Sequence, residues 1–240
     1  MIARCLTALV LALAPTYAAV GAPPPVETLT DASTVLDELA AIPLKGIPPA
    51  LLKDAQGVAI IPRVIKAGFV VAGRGGHGVV LTKDANGVWS EPTFVNFGGG
   101  SVGFQVGVSA TDVVLVFRDK KSLNRLLEGK AKFKLGGDAA VAAGPVGRTI
   151  EGATDGKLQA EIYSYSRSKG LFAGVSVEGA ILHADAGDTE RVRTRPTAEE
   201  TKRLDTLRLR LTEMSGEVVV VPGAAPLPPR SVPADPVRKP

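Results

Sequence analysis

The apolar pattern of the chain changes period several times, and each change marks an element. Residues 30–42 place Ala32, Val35, Leu36 and Leu39 at helical spacing before Pro43 stops the run, which predicts a short amphipathic helix. A second short helix is predicted from Pro48 and Pro49 through Leu51 and Leu52, ending before Gly57. From residue 57 to 192 Val, Ile, Phe and Gly dominate, and turn signals such as residues 84–87 cut the sequence into short runs. Val102, Phe104, Val106 and Val108 alternate with Gly103, Gln105, Gly107 and Ser109, giving one bulky face and one almost bare. Repeated glycine on one strand face points to close backbone approach or strong sheet curvature. Residues 113–117 are apolar at every position, as in a strand covered on both sides. Leu158, Ala160 and Ile162, and then Val175, Val177 and Ile181, read as two more half-buried strands. The expected fold class is α+β and β-rich: a curved antiparallel sheet or sandwich with a few peripheral helices.

One helix interrupts the sheet, with Asp119 or Ser122 as its cap, Leu123, Leu126 and Leu127 as its buried stripe and Gly129 at its end. A later one is announced by Thr197 and Glu200, a capping box behind Pro196. Its stripe of Leu204, Leu207, Leu211 and Met214 either docks on the sheet or meets a protein partner or a second copy of the chain. Residues 218–221 read as an edge strand, and residues 222–240 as an extended Pro-rich tail in which the Pro226 and Pro229 spacing is a spacer.

The first 18 residues carry one charge, Arg4, then an apolar run and the small-residue pattern Thr16, Tyr17, Ala18, which predicts a secretory signal peptide. Its removal leaves 240 − 18 = 222 residues and lowers the formal charge from +4 to +3. The single cysteine, Cys5, lies in the leader, so the mature chain is expected to be disulfide-free and held by an ordinary apolar core. The organisation expected is a leader (1–18), a linker with a short helix (19–49), a central domain (50–195), a helix and short strand (196–221) and a tail (222–240). The expected location is outside the cytoplasm, in a bacterial periplasm, soluble or peripheral to a membrane.

Candidate chemistry is thin. Gly73, Arg74, Gly75, Gly76, His77 and Gly78 satisfy G-x-G-x-x-G, but Val79, Val80 and Leu81 continue as a strand where a dinucleotide site needs a helix. The stretch is therefore read as a glycine-dense bulge or connection between strands. His77 and His183 are far apart in sequence and fit no metal-ligand spacing, and Ser164, Ser166 and Ser168 lack a nucleophile-elbow context. The expectation is a non-enzymatic protein with no cofactor, no metal site and no nucleic-acid partner.

Charge changes the picture more. Residues 118–134 hold seven cations (Arg118, Lys120, Lys121, Arg125, Lys130, Lys132, Lys134) against Asp119 and Glu128. Residues 57–83 add Arg63, Lys66, Arg74 and Lys83 with no acid. Such blocks either form a solvated face or meet an anionic bilayer, where each basic residue contributes about 1 kcal/mol.

Three stretches decide between these. Residues 55–80 read AQGVAIIPRVIKAGFVVAGRGGHGVV, residues 135–152 read LGGDAAVAAGPVGRTIEG, and residues 163–182 read YSYSRSKGLFAGVSVEGAIL. In this order they resemble the SYLF domain, also called the Ysc84 actin-binding family, over roughly residues 50–192. The resemblance implies phospholipid binding, with phosphoinositide and actin binding in eukaryotic members. Carried onto this chain, it points to Lys66, Arg74, Arg148, Arg167 and Lys169 as head-group contacts beside the basic block. The expected partner is anionic phospholipid; the alternative is an envelope scaffold that holds a protein through the 204–214 stripe and the tail.

Overall fold

Proline opens both N-terminal helices. α1 (Pro25–Ala40) follows an extended Pro24, and α2 (Pro49–Lys53) follows an extended Pro48, so each begins with a residue whose φ already suits the first turn. The first helix therefore starts at Pro25 rather than at residue 30, and the extra turn buries Thr28 and Leu29. A computed structural model describes residues 22–41, 46–69, 71–102, 107–129, 132–144, 160–168, 171–174 and 177–216; the predicted leader and tail lie outside them.

Nine strands follow among the described residues: β1 (Gly57–Phe69), β2 (Val71–Thr82), β3 (Thr93–Val102), β4 (Gly107–Phe117), β5 (Phe133–Lys134), β6 (Val141–Ala143), β7 (Ile162–Ser168), β8 (Leu171–Gly174) and β9 (Ile181–Ala184). They form one sheet in the order β5-β9-β3-β2-β1-β4-β7-β6, with β8 on β7. Pairing is antiparallel except between β6 and β7. β3 and β4 flank the β1–β2 hairpin instead of pairing with each other. The predicted strand through Val102 and Val108 is thus two strands, and residues 103–106 lie outside the described residues.

The sheet is strongly curled. Phe133 on β5 and Phe117 on β4 are five strand positions apart, roughly 24 Å along a flat sheet at about 4.8 Å per strand. Their ring centroids are 6.4 Å apart. The concave face encloses Ala59, Ile61, Val80, Leu115 and Phe117 with Leu123 and Leu126 of α3 (Lys120–Leu127). The convex face buries Val58, Ile60, Val79, Leu81, Val114 and Val116 beneath helices. Residues 113–117 alternate between the two cores, which is why no polar residue interrupts them.

Asp119 caps α3, its carboxylate accepting the Ser122 backbone N–H at 2.7 Å, and this bond holds it below the usual carboxylate range. Gly129, with φ of 62°, ends the helix region. α4 (Ala186–Thr194), capped by Asp185, has no counterpart in the sequence reading. α5 (Ala198–Met214) opens on the Thr197–Glu200 capping box, with both reciprocal hydrogen bonds present.

Three expectations need correction. The Gly73–Gly78 stretch is neither bulge nor connection but the interior of β2, in unbroken register with β3. The 175–181 stretch is not one strand: Gly179 takes φ of 76° between Val177 and β9, while Val175 lies outside the described residues. The α5 stripe is not open to a partner or a second copy. Leu204, Leu207 and Leu211 are buried in the convex core with α1 and α2, and Met214 packs against it. Burying each leucine contributes about 1.5–3 kcal/mol, so a partner competing for the stripe would have to unfold this layer.

Candidate anion-binding site

One extra residue in β1 sets the site. Register with β2 shifts between Ile60 and Ile65, and with β4 between Ile61 and Val64. Arg63 sits in this bulge at φ of 48°, a conformation non-glycine residues seldom adopt. Asp112 accepts the Arg63 backbone N–H at 2.9 Å, while the guanidinium reaches Glu27 at 2.6 Å and also Asp31 on α1. Because side chains alternate along a strand, the extra residue reverses which face each later residue takes. Val64 joins the concave core, so Lys66 follows it onto that face, and Ile65 and Ala67 turn outward to the convex one.

Lys66 is thereby directly opposite Arg74 on β2. Gly99 on β3 and Ser109 on β4 complete the row. The Arg74 side chain lies across Gly99, where a Cβ would stand 3.1 Å from Nε. One guanidinium nitrogen donates to the Glu178 carbonyl at 3.4 Å. Nε is enclosed and has no hydrogen-bond partner among the described residues. No Asp or Glu occurs in residues 57–83 or 92–111, so this end of four adjacent strands is acid-free. Like charges opposite each other on neighbouring strands are unfavourable, a cost that an anion bound between them would remove.

The remaining predicted cations divide. Arg167 is on the convex side, paired with Glu38 and 3.9 Å from Asp112. Arg125 is paired with Asp138 at 2.9 Å and stacked 5.9 Å from the Phe133 centroid. Arg118, Lys120 and Lys121 stand at the other end of the sheet, where Phe117 faces Gly57. At about 3.3 Å per residue along β1, that end is roughly 30 Å from Lys66. Lys132 and Lys134 sit at the β5 edge, with Lys134 in the row of Ile181, Gly98 and Gly75, next to the Arg74 row. Lys66, Lys120, Lys121, Lys132 and Lys134 make no ion pair within the described residues. Lys130, Arg148 and Lys169 lie outside the described residues.

Sequence separation hid a second row. His77, Asn96 and His183 are register partners on β2, β3 and β9, with Asn96 donating to Asp185 at 3.4 Å. Among the described residues no helix is long and apolar enough to cross a membrane.

A family model described as Las17-binding protein actin regulator, Ysc84, matches residues 98–201. The chain is 39% identical over 156 residues to SH3 domain-containing YSC84-like protein 1 of Xenopus laevis, covering 63% of this chain and 46% of the relative. It is 39% identical over 140 residues to the Homo sapiens protein of that name, covering 58% and 40%. Protein YSC84 of Saccharomyces cerevisiae is 42% identical over 138 residues, covering 57% and 29%. Over these residues the chain matches the Ysc84, or SYLF, family. The chain spans less than half the length of these curated relatives. No solved structure matches it. The family match begins at Gly98, so it takes in the bare end of β3 and all of β4 but leaves Lys66 and Arg74 before it.

Proposed function

We propose that this SYLF protein is exported and non-enzymatic, and that it binds anionic phospholipid peripherally through the end of its sheet that carries Lys66 and Arg74. The observation that carries the reading is the placement of these two cations opposite each other on strand segments that hold no Asp or Glu, with the Arg74 Nε unpartnered among the described residues. Two basic residues at about 1 kcal/mol each supply roughly 2 kcal/mol near an anionic bilayer, some 30-fold in affinity at low salt. The family model's description speaks of actin regulation and Las17 binding and one yeast relative is named LAS seventeen-binding protein 3, and a protein partner is the second reading. Its predicted handle, the α5 stripe, is buried.

Co-sedimentation with vesicles tests the proposal. The protein is expected to pellet with vesicles containing phosphatidylglycerol, to dissociate as salt rises, and to stay in solution with neutral phosphatidylcholine. Reversing both charges (Lys66→Glu with Arg74→Glu) is expected to weaken binding at least tenfold, and Lys120→Glu with Lys121→Glu to weaken it much less. Equal binding to neutral vesicles, or an unaffected Lys66/Arg74 variant, sinks the reading.

A further inference from the structure

The end of the sheet that carries Lys66 and Arg74 is also apolar. Val108 is 79% exposed and Ile65 48%, and both lie on the convex face beyond the reach of the helices. Val108 is the register partner of Ala67, and Ile65 of Ala110, so the two rows hold no polar side chain on β1 or β4. Gly98 and Gly100 on β3 have open space where a Cβ would be. Phe69, Val71 and Val102 occupy the last position of β1, the first of β2 and the last of β3. An isolated exposed valine is ordinary. A strand end whose exposed side chains are apolar on one face and cationic on the other is an interfacial arrangement.

We infer that this end does more than touch head groups: it enters the outer acyl region of an anionic bilayer, led by the β1–β2 hairpin and Val108, while Lys66 and Arg74 stop at the phosphates. The inference rests on the lipid-binding reading above. Its spacing fits. Lys66 lies three residues before Phe69, about 10 Å at strand rise, and interfacial elements bury their apolar parts about 5–10 Å into the head-group and acyl boundary. With the end of the β1 backbone at that depth the two cations are therefore level with phosphate oxygens.

Backbone chemistry allows it as well. A strand end entering lipid is costly when its N–H and C=O groups lack partners. Here β1 is paired on both sides as far as Gly68, which faces both Ala72 and Gly107, and β2 is paired from Val71 with Phe69 and Val102. The leading hairpin is thus the centre of a four-stranded end, not a free edge.

Val108→Trp places an indole reporter at a site whose exposure leaves the core untouched, against Trp89, which is buried at 2% and serves as internal background. The variant is mixed with phosphatidylglycerol vesicles carrying bromine at shallow or deep acyl positions, and pelleting is measured in the same samples. The expected result is a blue-shifted emission on binding, quenched at least twofold more by shallow than by deep bromine. In parallel, Val108→Ser is expected to weaken binding about tenfold or more, the loss of one buried valine. Pelleting with no shift and no quenching overturns insertion and leaves the lipid-binding reading standing. Absence of pelleting overturns both. A blue shift without lipid that grows with protein concentration assigns the apolar end to a second copy of the chain and overturns insertion.

Discussion

The two ends of one sheet use glycine for opposite reasons. In the lower half, between the helices and α3, a Cβ on Gly78 would stand 2.3 Å from the Ile60 carbonyl oxygen and 2.8 Å from the Ile61 Cα, and one on Gly57 2.8 Å from a Leu123 methyl. There glycine is demanded by packing. In the upper half a Cβ on Gly98 or Gly100 would meet nothing within 4 Å, and one on Gly75 only the Phe97 carbonyl oxygen at 3.9 Å. On this convex face glycine is demanded by nothing the chain itself supplies, whereas Gly99 on the concave face makes room for the Arg74 side chain. The division falls at the Arg63 bulge: below it both faces are cores, and above it one face carries cations and the other exposed Ile65 and Val108. A sheet whose two cores lie in its lower half leaves side chains of its upper half available to a partner.

The comparison breaks most sharply at Gly78. Gly78→Ala is expected to cost about 3 kcal/mol or more, the upper end for overpacking, because the obstacle is backbone of the neighbouring strand and cannot swing aside. Urea unfolding followed by circular dichroism measures it. A cost under about 1 kcal/mol would mean that the lower half can relax and that the glycines there are not structural.

Next in size is the polar tie of the helix layer. Glu200 is 3% exposed, accepts the Thr197 backbone N–H at 2.8 Å and is paired with Arg191 of α4. Removing it as Glu200→Ala opens the capping box and strands the guanidinium, an expected loss of about 1–3 kcal/mol. The bond from Arg191 is the largest influence on this carboxyl and holds it below its ordinary value. A carboxylate with a lowered native pKa stabilises the fold above its unfolded value, near 4.3, and loses that contribution as pH falls through the lower native one. The parent protein is therefore expected to lose stability below about pH 4 more steeply than Glu200→Ala does, as thermal midpoints between pH 3 and 7 would show.

Local signals were legible in the sequence and long-range ones were not. The Thr197–Glu200 box, the α3 stop at Gly129 and the doubly covered residues 113–117 each announce themselves within a few residues. The strand character of residues 73–78 was obscured because glycine suppresses the alternation by which strands are recognised, and only β1 and β3 on either side make it a strand. The cation set shows the same limit. Lys66 and Arg74 become partners only through the bulge, Arg167 is neutralised by Glu38 from a helix far earlier in the chain, and residues 118–134, one block in sequence, divide between α3 and β5. Register and ion pairing are decided by elements that periodicity cannot bring together.

The smallest effect tests the upper half directly. Glycine inside a strand costs roughly 0.5–1 kcal/mol relative to alanine, because the unfolded chain has more freedom to lose. At Gly98 and Gly100 neither a clash nor a left-handed φ opposes the methyl group. Gly98→Ala and Gly100→Ala are each expected to raise stability by a few tenths up to about 1 kcal/mol, read as a higher urea midpoint at unchanged slope. Both positions lie on the bare convex face, two residues apart, so a pair of methyls also roughens the surface that would meet a partner. A stabilised variant with weakened vesicle binding would mean that bareness is kept for the partner at the expense of the fold, whereas a destabilised one would make the upper half as tightly determined as the lower and remove the distinction between them.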